Sequence, residues 1–157
     1  FDVLLHAAKT LPPEVGIYIV GGEATEHYQA LRQELGWAQV QFLGVRPKEQ
    51  LTEFYRAADV FCLPTREDIW GLVVNEAMAC GLPVVTTEQC VAGMELVENG
   101  VNGYLVPIDD AQALSDRLNR VLASDMEAMG RASLRKIQGC TIEKMVQAHL
   151  AFVGERK

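Results

Sequence analysis

The sequence has 157 residues and a net charge of −7 at pH 7. That length suits one domain or one lobe of a longer protein, and it can bury roughly 70% of its extended-chain surface. Scattered basic residues in an acidic chain disfavour a nucleic-acid surface, and no apolar run approaches the roughly 18 residues that a spanning helix needs.

Phe1 opens directly in a helical pattern, with Val3, Leu4, Ala7, Ala8 and Leu11 apolar, which reads as the N-terminal edge of something cut from a longer chain. Pro12-Pro13 ends that helix. Ile17-Tyr18-Ile19-Val20 is a continuous apolar run, as in a strand buried on both faces. Gly21-Gly22 turns the chain, and a helix is expected from about Ala24 to Leu35, ended by Gly36. Val40 to Gly44 is the next strand. Pro47 to Ala58 is a helix with Leu51, Phe54, Tyr55 and Ala58 on one face. A strand follows over Val60 to Leu63, stopped by Pro64. Thr65 to Trp70 is polar loop, and Gly71 opens a helix filled by Leu72 to Cys80. Gly81 and Pro83 close it, as a C-terminal Gly with Pro just beyond should. Pro83 to Thr87 is strand. Asn99-Gly100 and Asn102-Gly103 are turn dipeptides, and Gly103 to Pro107 forms the last strand.

The C-terminal helices run from about residue 124 to the end, after a helix opened by the capping pair Asp109-Asp110. That earlier helix carries Ala113, Leu114, Leu118, Val121 and Leu122 inward. Two more are expected over Ser124 to Lys136 and Thr141 to Val153, the last with Ile142, Met145, Val146, Leu150 and Val153 on one side. Five strands alternating with helices predict an α/β fold, a doubly wound, mostly parallel sheet with helices on both faces. Its ligands bind beyond the carboxyl ends of the strands.

The chain holds four cysteines. None has metal-finger spacing, and Cys62 in a strand and Cys80 on the apolar helix read as buried free thiols of a reducing compartment. His6, His27 and His149 stand apart from one another, so neither a metal site nor a His-based triad is expected.

Chemistry concentrates between Asp59 and Thr87. Glu76 lies among Leu72, Val73, Val74, Ala77, Met78, Ala79 and Cys80. A helix that apolar is buried, and a carboxylate there is costly unless paired. Two readings stand: Glu76 faces a cleft, or it pairs internally with a cation. Gly21-Gly22 is not the Gly-x-Gly-x-x-Gly dinucleotide fingerprint; it reads as a tight turn or as a ligand-contacting loop. Arg46 and Lys48 lie in a solvated turn or near a ligand.

Pro64-Thr65-Arg66-Glu67-Asp68-Ile69-Trp70-Gly71, followed by Glu76-Ala77-Met78-Ala79-Cys80-Gly81-Leu82-Pro83-Val84, resembles the signature of the family-4 retaining glycosyltransferases. These are the "group 1" set with the GT-B fold. Their pattern is Pro-Ser-x-x-Glu-x-Phe-Gly and then Glu-Ala-x-Ala-x-Gly-x-Pro-Val. The family's two Glu residues are spaced as Asp68 and Glu76 are here, so the first is a shorter carboxylate in this chain, and Trp70 replaces Phe. The resemblance implies one nucleotide-sugar-binding domain over residues 1–157, the Rossmann-like C-terminal half of a GT-B enzyme truncated at its N-terminal edge. It implies transfer of a hexose from a nucleotide-diphosphate sugar with retention of configuration, in polysaccharide or glycolipid synthesis. The catalytic pair would be Asp68, on donor-sugar hydroxyls, and Glu76, on ribose hydroxyls. Donor contacts would come from Gly21, Gly22, Val45, Arg46, Thr65, Ile69, Trp70, Gly71, Leu72 and Val73, with the amides from Trp70 to Val73 on phosphates and sugar.

The family pattern Gly-Gly-x-x-Glu appears here as Val91-Ala92-Gly93-Met94-Glu95, with Glu95 read as a first-turn residue of a short helix. The resemblance implies no metal and no cofactor. Its acceptor, a saccharide or lipid-linked glycan, would be bound by a missing N-terminal domain, and the family's Arg and Lys for the phosphates would precede the region where this chain begins. It implies a cytoplasmic protein, at the inner membrane face if peripherally associated, and an isolated fragment that is inactive. The competing class is a non-catalytic doubly wound domain that holds a nucleotide or phosphate, and a third is a purely structural domain whose carboxylates pair internally.

Overall fold

The computed structural model describes residues 1–34, 36 and 39–154, with the side chains at 142, 145, 148, 149, 153 and 154 left aside. The expected helix end at Leu35, residues 155–157 of the expected domain, and the side chains of Ile142, Met145, His149 and Val153 lie outside the described residues.

Helix α1 (Asp2–Ala7) runs into a 3₁₀ turn (Ala8–Thr10). Then come β1 (Ile17–Val20), α2 (Glu26–Glu34), β2 (Val40–Gly44), α3 (Lys48–Ala57), β3 (Phe61–Leu63), α4 (Leu72–Ala79) and β4 (Val84–Thr87). After them follow α5 (Val91–Leu96), β5 (Gly103–Val106), α6 (Ala111–Leu122), α7 (Met126–Ile137) and α8 (Ile142–Gly154). All pairing is parallel, as the alternation predicts. Among the described residues the pairing forms two sheets, β1-β2 and β3-β4-β5, rather than one continuous sheet. Val60 and Pro83, expected within strands, fall just outside the observed β3 and β4. Pro83 has no N–H for the ladder, though its carbonyl accepts from the Phe61 amide at 3.0 Å.

Side chains along a strand alternate between faces, and the three-stranded sheet uses this to build two cores. Val85, Val106 and Cys62 join Leu4, Leu5 and Ala8 of the N-terminal segment and Leu114, Leu118 and Val121 of α6, together with Ile19 and Val40. Val84, Phe61, Leu63 and Leu105 point the other way, to Val74, Ala77 and Met78 of α4, Ala92 and Leu96 of α5, Tyr55 of α3 and Ile137 of α7. Helices therefore cover both faces, and Val84 and Val85 are each wholly buried, on opposite sides. That explains why Val84 and Val85 are apolar in succession.

Helix α4 ends as the sequence predicts. Gly81 (φ +79°) donates its amide to the Met78 carbonyl at 3.0 Å, and Leu82 donates to Ala77 at 3.1 Å. This is the paired Schellman closure.

Several expectations change. Tyr18 in β1 is 59% exposed, so that strand is not buried on both faces. Of the pair opening α6, Asp110 alone caps it, accepting from the Ala113 amide at 2.8 Å, while Asp109 sits at φ +57° facing elsewhere. Glu95 falls in the second half of α5 and is exposed, because the helix starts at Val91, so the N-terminal field does not reach it. On the stripe expected along α8, Val146 and Leu150 are exposed. Of the cysteines, all free, Cys90 is buried, Cys62 and Cys80 are half-buried, and Cys140 is exposed. Burial pushes the Cys62 thiol up to about 12.

Candidate functional site

The loop after β3 is held at both ends. The hydroxyls of Thr86 and Thr87, both buried, donate to the carbonyls of Leu63 and Thr65 at 2.8 and 2.7 Å. Thr65 Oγ1 donates to the Glu67 carbonyl at 2.7 Å and accepts from its amide at 3.3 Å. Further on, the loop runs parallel to the segment after β4. The Asp68 amide donates to Gln89 at 3.1 Å, and the amides of Val91 and Ala92 donate to the carbonyls of Asp68 and Trp70 at 3.3 and 2.6 Å. The residues standing where the family has its glycine pair thus spend their amides on this loop.

Gly71 joins the loop to α4 at φ +91° and ψ +57°. A Cβ there would lie 2.6 Å from the Cys90 sulfur, so glycine is required both by conformation and by space. The Asp68 carboxylate turns back to accept from the Trp70 amide at 3.1 Å. The Trp70 indole N–H donates to Asn75 Oδ1 at 3.0 Å. Among the described residues, the amides of Gly71, Leu72 and Val73 have no partner. These are the open donors of a helix N-terminus, which attract anions. Around them Ile69 and Leu72 are strongly exposed, at 88% and 68%, with Trp70 partly so.

Glu76 lies one turn further along α4 and is half-buried. Among the described residues it enters no ion pair. Its Oε2 accepts from the Tyr55 hydroxyl at 3.1 Å. Burial, and next the carboxylate itself, hold the Tyr55 hydroxyl well above its ordinary range. Of the two readings of Glu76, internal pairing with a cation is therefore not what the structure contains.

The glycine loops after β1 and β2 meet each other: the Gly21 amide donates to the Gly44 carbonyl at 2.9 Å. Gly21 is exposed, while Gly22 is covered by the Phe1 ring, 2.5 Å from where a Cβ would sit. Val45 is 76% exposed, and Arg46 and Lys48 are exposed beside it.

Sequence reasoning missed Tyr55 as more than a packing residue, and it missed an ionic clamp. Arg66 donates to Asp109 Oδ1 at 2.7 Å and to Asp2 Oδ2 at 2.8 Å, tying the loop after β3 to the start of α1 and the loop after β5. A hollow of about 230 Å³ lies on this clamp, lined by Asp2, Val3, His6, Arg66, Asp109 and Ala111. It is not at the N-terminus of α4. No pattern flags such contacts, because the partners are distant in sequence.

The loops after β3 and β4 thus meet beside an open helix N-terminus and a carboxylate without a cationic partner among the described residues, which is the strand-end edge where parallel α/β domains take ligands. The chain belongs to the group 1 glycosyl transferases, whose family model matches residues 1–136. It is 38% identical over 141 residues to the D-inositol 3-phosphate glycosyltransferase of Mycolicibacterium gilvum, a match over 85% of this chain and 31% of that protein. It thus spans about a third of the length of the curated relatives it matches. Among solved structures, sucrose-phosphate synthase from Thermosynechococcus elongatus has a TM-score of 0.84 at 26% identity, over 99% of this chain and 41% of that one. Anabaena HepE, solved with UDP and glucose, has a TM-score of 0.81 at 26% identity, over 96% of this chain and 44% of its own.

Proposed function

We propose that this chain is the donor-binding part of a retaining glycosyltransferase, which moves a hexose from a nucleotide-diphosphate sugar to an acceptor. The observation that carries the reading is Glu76. A half-buried carboxylate with no cationic partner among the described residues, held by a neutral hydroxyl and one turn from open helix amides, is suited to a ligand bearing hydroxyls and phosphate. Similarity to HepE, solved with UDP and glucose, supports the same class of ligand.

In this reading Glu76 accepts hydrogen bonds from the ribose hydroxyls, and the amides of Gly71, Leu72 and Val73 face the phosphates. Trp70 would donate there only after Asp68 releases its amide. Asp68 meets hydroxyls of the donor sugar with its remaining acceptor capacity. Val45, Arg46 and the glycine loop at Gly21 and Gly22 flank the base and sugar, with Thr65 and Ile69 completing the loop. As the nucleoside diphosphate leaves, negative charge grows on its phosphates. Preorganised amides at a helix N-terminus stabilise that charge without reorganising. We propose that this donor set serves without a metal or cofactor, that basic phosphate ligands and the acceptor site lie outside this chain, and that the chain alone does not turn over. The proposed setting is the cytoplasm or its membrane face, where nucleotide-activated sugars occur and free thiols persist.

Polysaccharide or glycolipid synthesis is the proposed process. The relatives' name makes a small phosphorylated polyol the competing acceptor, and a transfer assay on the intact protein with both acceptor types decides between them. The test of donor binding is calorimetric titration of the intact protein with UDP, ADP and GDP sugars, with Glu76→Ala as control. We expect the variant to lose at least about tenfold in affinity while its melting temperature stays close to wild type, the loss corresponding to a hydrogen bond to a charged group. Equal binding by the variant would remove the ribose role and the reading built on it.

A further inference from the structure

We propose that Tyr55 is a positioning residue for Glu76: its hydroxyl holds one carboxylate oxygen so that the other is presented to a pair of ribose hydroxyls. This rests on the donor-binding reading above and adds a residue to it. A glutamate side chain has three rotatable bonds, and at a half-buried site open to solvent nothing apolar would fix its end. Here the fixing group comes from another helix. Tyr55 lies in α3 and reaches Glu76 Oε2 at 3.1 Å.

The tyrosine is itself held. Its ring packs edge-on against Phe61, at 5.8 Å between centroids and 63° between planes, and it belongs to the core between α4 and the sheet. A rigid aromatic body thus delivers one donor to one oxygen of the carboxylate. The free oxygen keeps its full acceptor capacity for a ligand. Because the donor is neutral, the anion keeps its charge toward that ligand, which an arginine partner would have cancelled. The raised titration of the Tyr55 hydroxyl agrees with a donor that keeps its proton beside an anion. The arrangement also links α3, which follows the Val45–Pro47 loop, to α4.

The test uses the intact protein with UDP, ADP and GDP and their 2′-deoxy counterparts as probes. For the nucleotide that binds wild type, the ribose form is expected to bind on the order of tenfold more tightly than the 2′-deoxy form, the worth of one hydrogen bond to a charged group. Tyr55→Phe keeps the ring and its packing. It is expected to reduce that ratio roughly three- to tenfold, leaving 2′-deoxy affinity and melting temperature near wild type. In a Glu76→Ala background the same change should have no further effect. A Tyr55→Phe protein that keeps the full ratio, or that weakens both nucleotides equally, overturns the positioning role while donor binding stands. A wild type without any ratio, or Glu76→Gln that keeps it, overturns the donor reading and this proposal together.

Discussion

Gly71 shows how much of the site depends on a missing side chain. Its φ of +91° is open to glycine, and its Cα faces the Cys90 sulfur. Gly71→Ala adds the left-handed penalty, about 1–2 kcal/mol, and a contact at 2.6 Å with that sulfur. We expect stability to fall by at least that amount in chemical denaturation and nucleotide affinity to fall with it, since the amides of Leu72 and Val73 start from this residue. Adding Cys90→Ala should recover the steric part and leave the backbone part. Full recovery in the double variant would show that conformation at Gly71 is not limiting. The spacing of Asp68 and Glu76 was legible because it is a local property of one motif. That Asp68 turns its carboxylate onto the Trp70 amide was not, because a motif gives residue types and not which donor a side chain takes first. Tyr55 was legible as a member of an apolar helix face. Its hydroxyl contact is made 21 residues away and has no periodicity to betray it.

At the scale of elements, strands were read best, since runs such as Val84-Val85 must be apolar on both sides when each face meets a helix. Short α5 was anticipated as a helix but not in its start, and one or two residues decide whether Glu95 feels its N-terminus. The break into two sheets left no trace in periodicity, because strand order is set by packing between elements and each strand looks alike on its own. The Arg66 clamp joins three elements. The Arg66 guanidinium, donating to Asp2, holds that carboxyl down from its ordinary 3.8 to about 2. A carboxyl depressed in the folded state adds stability that is complete above the unfolded value and is lost as pH falls through the folded one. The window is therefore between about pH 4 and about pH 2. Both partners are substantially exposed, so the gain is small and weakens with salt. Comparing wild type with Arg66→Gln in urea at low ionic strength, the gap in midpoint should close on acidification through that window. A gap that is constant from pH 5 to pH 2 would mean that the clamp contributes no pH-linked stability.

Across the whole molecule, the sheet is the divider between two cores, one with α1 and α6, the other with α4, α5, Tyr55 and Ile137. The candidate site is mounted on the second. Helix α7 closes onto it: a Cβ at Gly130 would run into the Gly81 carbonyl oxygen, so the two helices meet at backbone contact just where α4 ends. Three of the four free cysteines sample these layers separately, Cys62 in the first core, Cys90 in the second beneath Gly71, and Cys140 on the surface. Alkylation needs the thiolate, which at Cys62 is scarce because burial has pushed its titration up to about 12. In the native intact protein, Cys140 should react at once. Cys62 should wait for opening of the first core, and Cys90 for opening of the loop held over it, the less costly event because it frees fewer buried groups. A nucleotide seated at the N-terminus of α4, as proposed, would bind the closed loop and suppress that local opening by mass action. Mass spectrometry of timed alkylation should then show nucleotide slowing Cys90 more strongly than Cys62 and leaving Cys140 unchanged. Equal slowing of Cys62 and Cys90 would show that the two cores open as one unit, and no slowing at Cys90 would place the ligand away from this loop.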